Sequence, residues 1–210
     1  MTSRPPLPLA DYQRIYQVAY SVLEASGIAT THRACLFFAS VGTLILREHY
    51  RKQATFSAGG MAVMIDEKSA NVVVYGREEN GRWIHDANGF HAWVECDGWL
   101  IDFMAPVMGD ALREDGVTFA VPRKMLQKRL EDRCPEPHAI QHEGEFFCAS
   151  DHALAQSLLD EQGAEFSDLV HICLTWFRKP PKPLASVALG ATDSTSKPIT
   201  LRAPAIEGVW

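Results

Sequence analysis

The sequence contains no apolar run long enough to cross a bilayer. Its most apolar stretch, Leu36 to Leu46, is broken by Ser40, Gly42 and Thr43 and falls short of the roughly 18 apolar residues that a span requires. This predicts a buried helix and no membrane partner. Residues Met1 to Ala10 hold one arginine and three prolines but no apolar core of the roughly 7 to 15 residues typical of a secretory signal, so export is not expected. Cysteine is sparse as well, with five residues at irregular spacing. An odd count without an export signal points to reduced thiols and a cytoplasmic location. Clustered basic charge is also missing. The formal net charge is -6, and the densest basic group, Arg123, Lys124, Lys128 and Arg129, runs straight into Glu131 and Asp132. A nucleic-acid partner is therefore not expected.

With neither internal repeats nor compositional bias, a chain of 210 residues that is 47% hydrophobic and 22% charged has the material for one well-filled core. Residues 1–180 are expected to form a single domain. Residues 181–210, rich in Pro, Ser, Thr and Ala, are expected to form a tail that packs on it or is partly disordered.

Tyr12, Ile15, Tyr16, Ala19, Val22 and Leu23 recur at helical spacing, and Gly27 is placed to end that helix. A second helix follows Thr30 and Thr31, either of which could cap it. Residues Ala34 to Leu46 are apolar nearly all round, as befits a helix in the interior. From Ala54 the pattern turns to strands: an apolar run to Ile65, a polar turn at 66–68, and Val72 to Tyr75. Gly89 to Cys96 and Trp99 to Met104 flank Asp97-Gly98, the pair that favours a two-residue hairpin turn. Arg123 to Glu131, with Pro122 at its start, reads as a short amphipathic helix, and 134–150 as a loop. Helices are expected at 151–162 and 166–178.

A catalytic cysteine works as its thiolate and needs an electropositive setting to form one near neutral pH. Cys35 has such an address: capping at Thr30 or Thr31 would place it in the first helical turn, near free N–H groups and beside Arg33. The hairpin supplies a base. If Asp97-Gly98 is the loop, Cys96 faces Trp99, Val94 faces Ile101 and Trp93 faces Asp102. His91 and Asp102 then share a face as diagonal neighbours, about 7 to 8 Å apart along the backbone. Alternation puts Trp93 and Glu95 on that face too, so Trp93 is a candidate to line a substrate cleft. Asp102, inside the apolar strand Trp99 to Phe103, needs a partner because an unpaired buried carboxylate is costly. His91 is the nearest.

The string His91-Ala92-Trp93-Val94-Glu95-Cys96-Asp97-Gly98-Trp99-Leu100-Ile101-Asp102 resembles the His and Asp strands of the transglutaminase-like branch of the papain-type cysteine proteinase superfamily. The resemblance covers mainly residues 30–46 and 88–104. It implies an α+β papain-like fold, a central helix packed on an antiparallel sheet, with Cys35 as nucleophile, His91 as base and Asp102 as its orienter. The implied activity is cysteine-dependent hydrolysis or acyl transfer on an amide, isopeptide or thioester, with a small-molecule or peptide amide as substrate and no cofactor or metal. One departure stands out: the stretch before Cys35, Gly27-Ile28-Ala29-Thr30-Thr31-His32, lacks the oxyanion-stabilising Gln usual in papain-type enzymes. The Cys35 N–H, helped by the hydroxyl of Thr30 or Thr31 or by His32, is the substitute the sequence offers.

Two other readings compete. The same fold could serve as an inactive binding or scaffold module, which the missing Gln would suit. Alternatively, Cys134, His138, His142 and Cys148 could be read as a zinc set, although their spacing matches no standard finger.

Overall fold

The computed structural model describes residues 4–190 and 195–210 and shows an α+β protein with a mixed sheet. Helix α1 spans Leu9–Ser26 and ends at Gly27, whose φ of 69° closes it in the left-handed region. A single 3-10 turn, Thr31–Arg33, leads into α2, Cys35–Tyr50. Neither threonine caps α2, contrary to the expectation from sequence: the intervening 3-10 turn leaves Ala34 in the cap position.

Strand β1 is long, Ala54–Asp66, and β2 is Asn71–Tyr75; a small hairpin, β3 Arg77–Glu79 and β4 Arg82–Ile84, stands apart. The central hairpin follows as β5, His91–Cys96, and β6, Trp99–Asp102, with Cys96 opposite Trp99 and Val94 opposite Ile101. That is the register inferred from the turn, and Asp97 and Gly98 take the positive φ values of 54° and 80° that such a turn demands. A short helix, α3, covers Met108–Glu114.

Residues 123–131 correct the sequence reading, for β7 occupies Lys124–Arg129 and pairs antiparallel with β6, Asp102 opposite Leu126. Met125 joins the core on the helical side of the sheet and Leu126 the core on the other. Between them and Arg129, Gln127 is buried and bonded through its amide to the backbone of Leu7. Burial on both faces, with a strand edge to fill, overrides the helical spacing of the charges. The segment 134–150 is likewise not all loop: β8, Phe146–Ser150, pairs with β1. Helices α4, His152–Asp160, and α5, Ala164–Trp176, come next. In the tail, β9, Val187–Gly190, pairs with β10, Ser196–Ile199, and β11, Gly208–Val209, runs parallel to β7. The backbone N–H of Arg202 donates to Ser21 of α1, so this part of the tail is docked.

The larger sheet has seven strands, in the order β11-β7-β6-β5-β1-β2 with β8 on β1. Helices α1, α2 and α5 cover one face over Ala92, Val94, Cys96, Ile101 and Phe103. The other face is closed by Met61, Val63, Trp93, Leu100, Leu126 and Phe146. Two glycines let elements approach closely where the site is built. At Gly42 of α2 a Cβ would sit 2.3 Å from the ring of Phe103, so the absence of a side chain lets α2 lie directly on the end of β6. At Gly59, where β1 meets both His91 and Ser150, a Cβ would sit 2.0 Å from the carbonyl oxygen of Ala149.

Gly42→Ala gives a test with opposed signs. Helix propensity alone favours alanine by about 1 kcal/mol. The clash with the buried Phe103 ring should outweigh it, for a net loss of about 1–3 kcal/mol in denaturant unfolding. A stabilised variant would show that α2 does not rest on Phe103.

Candidate active site

The carboxylate of Asp102 is the fixed point of the site. It is buried, and both oxygens are occupied: the backbone N–H of Met104 donates to Oδ1 at 2.8 Å, and Nε2 of His91 lies 2.9 Å from Oδ2. The hydroxyl of Tyr12 in α1 donates to the Asp102 carbonyl oxygen, and the Tyr12 ring stacks on Phe103 with centroids 4.9 Å apart. The position of Asp102 thus follows from strand pairing, from the turn after β6 and from a clamp by α1.

His91, the first residue of β5, is fully buried and stacked on Tyr75 at a centroid distance of 4.2 Å. Because Asp102 holds Nε2, the other nitrogen, Nδ1, is left for chemistry, and it has no hydrogen-bond partner among the described residues. Burial alone would lower the pKa of this imidazole. The charge and hydrogen bond of Asp102 outweigh it, and the neighbouring Cys35 thiol adds to them, so the pKa rises to about 10. The shift favours the imidazolium form of the ring, beside the Cys35 sulfur.

Cys35 is the first residue of α2, where the N–H groups of the opening turn point outward from the positive end of the helix dipole. Ala34 offers no side-chain oxygen to occupy them. The cysteine is largely buried at 8% exposure, yet it opens onto a cavity of about 360 Å³ lined by Leu36, Phe37, Phe90, Gln162 and Phe166 among others. The other cysteines lie elsewhere: Cys96 and Cys173 in the helical-side core, Cys148 in the opposite core, and Cys134 at a third cluster. Burial pushes the thiols of Cys96 and Cys148 up to about 11.

The structure thus brings Cys35, His91 and Asp102 together, while the secondary candidates fall elsewhere. Trp93 is fully buried in the core beyond the sheet and donates through Nε1 to Glu95 at 3.2 Å; it lines no cleft, because the face it shares with Leu100 and Leu126 is closed by packing. The Thr31 hydroxyl is spent on Glu24 at 2.9 Å, and His32 sits 3.0 Å from Glu114. Arg33 is neutralised by Glu114 and Asp115, so its charge does not act freely on the thiol. The residues of the zinc reading are dispersed: His138 pairs with Glu78 and His142 with Glu67. Among the described residues no group of three or more His, Cys, Asp or Glu side chains could hold a metal ion, and no helix is long and apolar enough to cross a membrane. Tyr75, Phe90 and Gln162 join the site unannounced by the sequence. Of these only Tyr75, an aromatic at the end of a β-branched run, carried any local signal.

The buried pair makes stability depend on pH. Since folding raises the pKa of His91 from its ordinary 6.5 to about 10, the stabilisation it provides is complete below about pH 6.5 and is lost as pH climbs through 10. Asp102→Ala, which leaves the buried ring unpaired, should cost about 3–5 kcal/mol near neutral pH and should flatten the alkaline fall in melting temperature. An unchanged alkaline profile in that variant would show that the pair is not its cause.

Comparison with known proteins gives a family but no activity. No curated protein matches the chain. A solved structure described as "The crystal structure of genomics APC5867" is similar over 99% of this chain and 98% of its own, with 31% identity and a TM-score of 0.82. Residues 8–210 match the model of one family, and the chain therefore belongs to the family described as "Protein of unknown function (DUF2026)".

Proposed function

We propose that the protein is a cysteine-dependent hydrolase or acyltransferase of papain-like or transglutaminase-like type, acting on an amide, isopeptide or thioester through Cys35, His91 and Asp102. The observation that carries this reading is the buried His91 ring. One nitrogen is fixed by Asp102, and the Cys35 sulfur lies close enough to the ring to help raise its pKa. A purely structural His–Asp pair would need neither a thiol beside it nor a cavity opening at that thiol.

In the reaction the thiolate attacks the substrate carbonyl carbon, a C–S bond forms, and the carbonyl electron pair moves to oxygen. The N–H of Cys35 at the opening of α2 would donate to that oxygen. As the tetrahedral intermediate collapses, the imidazolium hands its proton to the departing amine or thiol. Water or an amine then attacks the thioester while His91 takes a proton from it, restoring the starting state. Throughout, Asp102 keeps the ring in one orientation and supports its positive charge.

The rival reading, an inactive module of the same fold, draws on the engagement of Thr31 and His32 by carboxylates, which leaves the Cys35 N–H without a side-chain helper. Alkylation with iodoacetamide, located by mass spectrometry, separates the two. Cys35 should react at about pH 5.5 well above the rate of a free thiol, and His91→Ala should return it to the free-thiol rate. A wild-type Cys35 no faster than a free thiol under those conditions would support the inactive module.

A further inference from the structure

A second cavity, of about 380 Å³, lies between α2, α4, α5 and β1. Its walls include Leu44, Phe56, Leu159, Val170 and Leu174, so it is apolar for most of its surface. Ser40 and Thr43 line it, both are more than nine-tenths buried, and neither hydroxyl has a hydrogen-bond partner among the described residues. Helical serine and threonine ordinarily return their hydroxyl to a carbonyl of the preceding turn, and a buried hydroxyl left unpaired is costly. Here both oxygens are enclosed, with next to no accessible surface, so neither is presented to the cavity. What links it to the site is adjacency: Gln162 and Phe166 line this cavity and also the one at Cys35. Phe166 is held edge-on against Phe37 with ring centroids 5.7 Å apart, and Gln162 donates to the carbonyl of Leu158.

Along α2 the residues Leu36, Ser40, Thr43, Leu44 and Arg47 recur at spacings of three and four, so they form one stripe beginning one residue after Cys35. From Cys35 to Arg47 the helix advances about 18 Å. At the far end the Arg47 Nε donates to the carbonyl of Ala54.

We propose that the two cavities form one acyl-binding groove: the carbonyl of the substrate sits at Cys35, and its acyl portion runs past Phe166 along α2. The substrate class is then an amide or thioester of a mainly apolar, medium-length acyl chain. The inference rests on Cys35 being the nucleophile and adds what the nucleophile is shaped to receive.

The test uses p-nitrophenyl esters of acetyl, butyryl and octanoyl groups with the full-length protein. The Cys35 thiolate displaces p-nitrophenolate, a C–S bond replacing the C–O bond, and water then cleaves the thioester to the carboxylic acid. Acylation per unit concentration should rise at least about tenfold from acetyl to octanoyl, since each buried methylene adds to binding. Leu44→Trp, which fills the groove at a half-buried position, should abolish that gain. Ser167→Trp, at an exposed position on the groove wall, gives the same readout should the first variant fail to fold. A flat chain-length profile, or a rise that survives a blocked groove, overturns the groove while leaving Cys35 as the nucleophile. Absence of acylation by every ester, with a Cys35 that alkylates as a free thiol, overturns the nucleophile and the groove with it.

Discussion

The site depends on the burial of one carboxylate. Asp102 lies in the body of an apolar strand, where an unpaired negative charge would be prohibitive, and each of its oxygens is given a donor, one from the backbone of Met104 and one from His91. That requirement fixes the ring of His91, and a fixed ring with one nitrogen committed has only its Nδ1 to offer. The raised pKa of His91 is the electrostatic consequence. Strand pairing, the turn after β6 and the Tyr12 clamp all converge on this one interaction.

The second constraint is the seat of α2. The helix is held close to the sheet by the approach of the backbone at Gly42 to the ring of Phe103. Gly42 interrupts an otherwise apolar helix at some cost in propensity. The return is close packing of α2 onto β6, which brings the Cys35 end of the helix to the His91 end of β5. The same helix carries Cys35 at its start and, further along, the two unpartnered hydroxyls of Ser40 and Thr43.

The hairpin was legible from sequence because its turn is dictated locally: Asp97-Gly98 satisfies a backbone need that few other pairs meet, and pairing then follows by counting. The approach of His91 to Asp102 came from the same count. The register also put Trp93 on the face of His91 and Glu95, but the count could not tell that this face is sealed by Leu100 and Leu126. Burial belongs to the assembled sheet. At 123–131 the charges at helical spacing pointed to a helix, while a free edge on β6 and two cores to fill made a strand. The strand at 146–150 escaped notice for a similar reason, since its partner is the distant second half of β1. The threonines before Cys35 are good caps in isolation; a 3-10 turn and the pull of Glu24 on Thr31 moved the helix start past them. Tyr75 and Gln162 reach the site only through tertiary packing.

Nitrogen NMR of the His91 ring in isotope-labelled protein tests the central claim most directly, because it reads the charge on the group that Asp102 and Cys35 are held to govern. The expected result is a doubly protonated ring at neutral pH that loses a proton only as pH approaches about 10, with a lower pKa once Cys35 is replaced by Ser. A ring that is neutral at pH 7, or whose titration ignores the loss of the thiol, would contradict it.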